Sequence, residues 1–252
     1  MAGIRAPRLT KRKTRVKHKR GSGFDGTVSV ASVEGFKGPV LIKVPTRPKR
    51  LNPNRPGYKV AMQSVRRNLI AQQKAWFALF KAGLPVPRFH KIDLRRQSKH
   101  YLSTFMEDMS KRFGKIYTGH IMGVPVFFDG LSLKRDRTLI RNLAKDLAKI
   151  NGLGYFPEAA DFWSFYRKNA SWDRVIFDFG AFGKPQQFVR DTQLAIQFGN
   201  IAFPMPEPEF AYFVKQYKKH CAPITALMLD RKMNEIMEFG REQKRMQFLN
   251  RK

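Results

Sequence analysis

The chain has 252 residues, 42% of them hydrophobic, enough for one sizeable domain or two small lobes sharing a cleft. Its formal net charge is +30, from 49 Lys and Arg against 19 Asp and Glu, and such a chain binds polyanions: nucleic acid, nucleotides or anionic lipid heads. The one cysteine, Cys221, excludes an intramolecular disulfide and a cysteine metal cluster; the histidines lack metal-ligand spacing, and no apolar run approaches the ~18 residues of a membrane span. A cytoplasmic setting is expected, with a basic surface able to lie against a membrane face.

Residues 1–20 carry nine basic residues and no acid. They read as a retained basic arm or as a mitochondrial presequence, and the lack of serine favours the arm. Residues 1–13 are expected to be disordered. "TRVKHKRGSGFDGTVSVAS" has strand character on both sides of a glycine cluster, and "GPVLIKVP" is a short β-branched run, hence a strand. "TRPKRLNPNRPGYK" (46–59) reads as a loop, and 61–82 as a helix with Val65, Leu69, Trp76, Phe77 and Phe80 near helical spacing, ended by Gly83. "LPVPRFHKIDL" and "HYLSTFMEDM" read as strands. Beyond them the pattern turns helical. "RDRTLIRNLAKDLAKING" places Leu139, Leu143, Leu147 and Ile150 on one face, with Gly152 as a stop signal. "ASWDRVIFDFG" is a buried strand, and "VRDTQLAIQFGN", "EPEFAYFVKQYKKHC" and the basic amphipathic stretch from Ile224 onward are helices.

Four stretches carry chemistry. "GSGFDGTV" has glycines at 21, 23 and 26 and a valine at 28, a spacing that lets backbone N–H groups approach phosphate oxygens with no Cβ in the way. It also fits a plain hairpin turn. The next residues, "TVSVASVEG", are strand-like rather than helical, which argues against a dinucleotide fold. Lys43 stands inside the next apolar strand. On its own it snorkels outward; beside a glycine loop it sets an ammonium under bound phosphates. "FMEDM" (105–109) is a strand terminus whose backbone suits the edge of an adenine. Asp178 in "DFG" comes after an apolar strand, where a carboxylate can hold Mg2+ and Gly180 permits the turn.

In this order the four stretches resemble the protein-kinase-like superfamily over roughly residues 14–215, in the compact atypical form of the RIO and Kdo or lipopolysaccharide-core kinases. The helix and turn "IAQQKAWFALFKAGLPVPRF" share that flavour, as does the Arg190-Asp191 pair opening a helix. The resemblance implies an α+β, bilobal protein-kinase-like fold: a basic arm (1–13), a small β-rich N-lobe with one main helix (14–108), a mainly helical C-lobe (109–221) and a basic C-terminal helix (222–252). ATP and Mg2+ are the implied cofactors. Gly21, Gly23, Gly26 and Val28 would cradle phosphates, Lys43 contact them, Met106, Glu107 and Met109 line the adenine site, and Asp178 hold the metal.

Three departures from the family pattern stand out. The helical glutamate that should pair with Lys43 is absent, and Gln72 falls at its place, a hydrogen-bonding group without charge. The loop before Asp178 admits two frames. One, counted from Gly154, puts Ala159 at the catalytic base and Ser164 at the subsequent asparagine position. The other, counted back from Asp178, puts Asp161 at the base and Tyr166 at the asparagine; in either frame the second metal ligand is altered, and Asn169 is an alternative ligand if the loop bends differently. Asp191 also lies too close after Asp178 for an activation segment, so a peptide-docking protein kinase is not expected. The expected function is ATP- and Mg2+-dependent phosphoryl transfer to a hydroxyl of a sugar or lipid-core acceptor, with Asp161 as base. The alternative is a catalytically impaired kinase-fold protein that binds nucleic acid or a ribonucleoprotein through its basic surface. A basic structural protein whose motif matches are accidental is the third reading.

Overall fold

Strands dominate the early chain and helices the later part, the order of an α+β protein. The computed structural model describes residues 14–23, 26–33, 40–45, 56–88, 104–107, 112, 115–118, 120–121, 124–125, 128, 130–157, 162–169, 171–176, 182 and 189–249. The chain divides into two compact units, 1–76 with 87–112 and 77–86 with 113–252.

The first unit contains a four-stranded antiparallel sheet in the order β1 (Thr14–Gly23), β2 (Gly26–Val33), β3 (Val40–Pro45), β4 (Thr104–Glu107). β-Branched residues supply much of β2 and β3, as a pleated surface favours. The pairing of β1 with β2 shifts register twice, between Val16 and His18 and between Lys19 and Gly21, so β1 carries extra residues on its way to the hairpin.

Helix α1 (Pro56–Lys81) lies between β3 and β4 in the chain. It starts five residues before the position the apolar spacing suggests. Proline is pre-set for a first helical turn and has no N–H to leave unpaired there, so a loop-like composition hides a helix start. Gly83, at φ 70°, closes the helix: its N–H donates to Phe80 O and that of Leu84 to Leu79 O. The expected apolar stripe holds in part. Leu69 and Trp76 are buried, and the Trp76 Nε1–H donates to Pro87 O at 2.7 Å. Phe77 and Phe80 are 46% and 50% exposed, and burial passes through Ala75 and Leu79 instead. The strand expected from Leu84 does not form over 84–88, where Pro85 and Pro87 remove two ladder donors. Pro85 O nevertheless accepts the Ile176 N–H at 2.7 Å.

Among the described residues the second unit contains the last turn of α1, four further helices and a small sheet. The sheet order is β5 (Ile116–Thr118), β8 (Trp163–Lys168), β9 (Ser171–Ile176), all antiparallel, and β6 (His120–Ile121) pairs with β7 (Val124–Pro125). Strand β8 was not expected. Its sequence, "WSFYRK", is half aromatic, and Asn169 at φ 56° makes the tight turn into β9.

Helix α2 (Leu133–Gly152) begins after an extended Ser132. Its first free N–H groups are satisfied by carboxylates: Ser132 N–H donates to Asp136 Oδ2 and Leu133 N–H to Glu209 Oε1, at 3.1 and 2.8 Å. Its last residue is Gly152, as expected, and the left-handed turn that closes it comes two positions later, at Gly154. Gly154 has φ 82°, its N–H donates to Asn151 O and that of Tyr155 to Ile150 O. Helices α3 (Arg190–Ala202), α4 (Glu207–Lys218) and α5 (Pro223–Leu249) complete the unit. Its core joins the apolar face of α2, including Leu139, Leu143, Leu147 and Ile150, to buried aromatics such as Phe162, Trp163, Phe198 and Tyr217. Gly199 of α3 lets α5 come close: a Cβ there would sit 2.5 Å from Phe239 Cδ1. Among the described residues no helix is long and apolar enough to cross a membrane.

Candidate functional site

Backbone register brings several of the sequence-predicted residues together in the first unit. Gly23 pairs with Gly26 at the end of the β1–β2 hairpin, and Gly21 pairs with Val28. Val28 pairs in turn with Lys43, and Lys43 with Thr104. Positions 21, 28, 43 and 104 therefore form one row across four strands. Cross-strand partners share a face and a strand alternates with period two, so position 106 belongs to the same face as 43 and 104. Met106 pairs with Leu41 and Glu107 with Val40. The register shift between Lys19 and Gly21 falls beside the first glycine of the hairpin. Gln72 lies on α1, half-buried. Met109 lies outside the described residues.

In the second unit the chain around the expected base is anchored at both ends. On the N-terminal side, Pro157 O accepts a hydrogen bond from Gln197 Nε2 at 3.0 Å. Asn151 Nδ2 donates to Gln197 Oε1 and to the Tyr217 hydroxyl at 2.9 and 2.8 Å. Asn151, Gln197 and Tyr217 are all buried, and burial pushes the Tyr217 phenol up, so it stays protonated. On the C-terminal side stands the β8–β9 hairpin. Arg174 of β9 reaches α2 with a bidentate pair to Asp146, Nε to Oδ2 and Nη2 to Oδ1, both at 2.8 Å. Its Nη1 also donates to Asp173 Oδ1 at 3.0 Å.

The two carboxylates respond differently to this shared guanidinium. Burial pushes Asp146 up in spite of Arg174. For the less buried Asp173, burial is outweighed by the hydrogen bonds and charge of Arg174, with help from the Tyr166 hydroxyl, and the carboxyl is held below its ordinary range. Asp161 and Asp178 themselves lie outside the described residues; β9 ends at Ile176, two positions before Asp178.

The two candidate partners of the base sit differently. Tyr166 is in the middle of β8, opposite Asp173, and its hydroxyl donates to Asp173 Oδ2 at 3.0 Å. Ser164, at the start of the same strand, is fully buried, and its Oγ has no hydrogen-bond partner among the described residues. The neighbouring Trp163 Nε1 and the Asn151 Oδ1 are likewise buried without a partner among the described residues. Asn169, the third possible ligand, is exposed in the β8–β9 turn.

The Arg174 and Asn151 networks were missed from sequence. The signal was present for Asp146, which falls three positions after Leu143 on the apolar side of α2 and so needs a buried partner. Elsewhere, a groove of ≈ 220 Å³ between α3 and α5, lined by Thr192, Ala195, Ile196, Lys232, Ile236 and Phe239 among others, contains none of the predicted residues. No group of three or more His, Cys, Asp or Glu able to hold a metal occurs among the described residues. No protein-family model matches the sequence, and no curated protein matches it.

Proposed function

We propose that the chain is a nucleotide-dependent phosphotransferase of the compact kinase-like type, with a bilobal fold. The observation that supports this reading is the cross-strand row Gly21–Val28–Lys43, which sets a glycine hairpin directly beside a lysine strand. Backbone N–H groups of the hairpin bind the phosphates of ATP, and Lys43 contributes a cation to them. The stretch from Met106 through Glu107 to Met109 serves as the hinge, whose backbone groups bond the adenine edge. Asp161 positions the acceptor hydroxyl and takes its proton. Asp178, just past the end of β9, is the residue that holds Mg2+, and the unpartnered Ser164 hydroxyl is a second oxygen available in the Ala159 frame. When bound, Mg2+ neutralises phosphate charge. The acceptor is a hydroxyl of an anionic sugar or lipid-core compound, in keeping with a net charge of +30.

A thermal-shift titration with ATP and Mg2+ tests the reading. Saturation at ~100 Kd stabilises the protein by about 2.7 kcal/mol, and Lys43→Ala and Asp178→Ala abolish the shift. A wild-type protein indifferent to ATP refutes it.

The Tyr166–Asp173 hydrogen bond favours a second reading. In the Asp161 frame the asparagine position is filled by a phenol already committed within the hairpin, and Gln72 brings no charge to Lys43. Such a chain keeps a nucleotide pocket, transfers phosphate poorly and works by binding nucleic acid or a ribonucleoprotein. Turnover decides between the two: Asp161→Asn lowers transfer in the first and changes nothing in the second.

A further inference from the structure

Helix α2 carries Arg137, Arg141, Lys145 and Lys149 at every fourth position, and all four are exposed. Four residues advance a helix by about 6 Å and rotate it by about 40°, so the four form one slowly turning row about 18 Å long. Among the described residues none of them makes an ion pair with an acid. The two acids of α2, Asp136 and Asp146, are 4% exposed and are committed to Arg135 and Arg174. Like charges at i,i+4 are unfavourable in a helix, and three such pairs occur here in succession. Two exposed cations elsewhere do have acids beside them: Lys218 pairs with Asp230, and Lys232 with Glu235.

The neighbouring helix α4 extends the row. Arg137 lies over the Tyr212 ring, 5.2 Å from its centroid. At the other end His220 feels both Lys145 and Lys219. On the β8–β9 hairpin Arg167 stacks on Trp172 at 4.3 Å, and Trp172 shares a sheet face with Arg174, the residue that grips α2.

We propose that this face of α2 is a docking track for a single-stranded nucleic acid, its phosphates running along the Arg137–Lys149 row. One row of charges, one helix wide, matches one strand, whereas a duplex presents two rows separated by a groove. Aromatic rings stacked with arginine at the edge of the track suit unpaired bases. A membrane surface fits less well. An interfacial helix buries an apolar face in the bilayer, and the apolar residues of α2 are already in the core. The proposal rests on the second reading above, to which it gives a surface and a ligand; it needs neither ATP nor phosphoryl transfer.

The test measures binding of a fluorescein-labelled oligouridylate to the full chain across a salt series. The double variant Arg141→Gln/Lys145→Gln is compared with Arg241→Gln/Lys244→Gln, an equal loss of charge on the exposed side of α5. Each phosphate contact on a single strand contributes about 0.7 to the slope of log affinity against log salt, so the α2 variant is expected to flatten it by about 1.4. Its deficit then grows about sevenfold from ~200 to ~50 mM salt, and the α5 variant changes less than half as much. Equal losses in the two variants would show diffuse charge rather than a track and overturn the proposal. An α2 variant that binds like a binding-competent wild type overturns the track but not the second reading. A wild type that ignores the oligonucleotide overturns both. Loss of phosphatidylserine-vesicle binding in the α2 variant, with oligonucleotide binding intact, assigns the face to a membrane and overturns the proposal.

Discussion

Replacing Arg174 by methionine separates the charge of the β9–α2 link from its packing. Arg174 donates two hydrogen bonds of 2.8 Å to Asp146, whose side chain is only 6% exposed. Removing the guanidinium leaves a buried carboxylate with both oxygens stripped of their cation. Breaking a buried pair from one side costs about 3–5 kcal/mol, while replacing both partners by apolar residues is close to neutral. Arg174→Met should therefore lower stability by about 3–5 kcal/mol, and Arg174→Met/Asp146→Leu should return to within about 1 kcal/mol of wild type. Asp146→Leu alone should cost less, because Arg174 is 16% exposed and keeps Asp173. Urea unfolding at neutral pH measures the cycle, and the first variant should melt roughly 6–20 °C lower. The sign of the pH dependence comes from Asp146, which burial already pushes up. Once protonated it needs no counter-charge, so the deficit of Arg174→Met shrinks as the pH falls. An Arg174→Met protein within about 1 kcal/mol of wild type, or a double variant no better than the single, refutes the reasoning.

Three other expectations are open to direct measurement. Gln197→Ala strips Pro157 O and Asn151 Nδ2 of a partner and should lose about 1–3 kcal/mol per orphaned group in urea unfolding, with faster amide exchange at Tyr155 and Phe156. Ser164→Ala removes a buried hydroxyl that has no partner, so it should leave stability unchanged or raise it by about 1 kcal/mol; a clear loss in the melting temperature would contradict the environment described for β8. Burial first, then Lys145 and Lys219, hold His220 below its ordinary value of 6.5. Its NMR titration midpoint should lie below that value and rise in Lys145→Gln, and an unmoved midpoint would place Lys145 out of its reach.

Much of the fold was legible because local pattern and tertiary role agreed. The glycines at 21, 23 and 26 and the branched runs on either side specify a hairpin, and Lys43 comes on the next strand, so a glycine hairpin followed by a lysine strand could be expected from sequence. The apolar face of α2 was equally plain. What stayed hidden has particular causes. Strand β8 is aromatic on both faces where it is buried, so it shows no alternation, and its residues fell in the stretch where a catalytic loop was sought. The α1 start was masked by proline, which marks both a loop and a first helical turn. Helix α2 stops at Gly152 as its pattern suggests, but the left-handed closing residue is Gly154, which composition does not distinguish from Gly152. At the candidate site Lys43, the glycines and Met106 lie on β1 to β4, and only the cross-strand pairing shows which of them share a row. The partners of Arg174 and Gln197 were not foreseen, since such pairs depend on long-range packing that no spacing rule encodes.

The unneutralised row on α2 gives added electrolyte two opposite effects. Screening relieves the repulsion between successive cations, so the fold gains as ionic strength rises. On the docking proposal, the same screening reduces the counterion-release gain that would hold a polyphosphate against the helix. Raising the ionic strength thus relieves the bare helix and, on the docking proposal, loosens its hold on a strand, whose own phosphates would relieve the same repulsion.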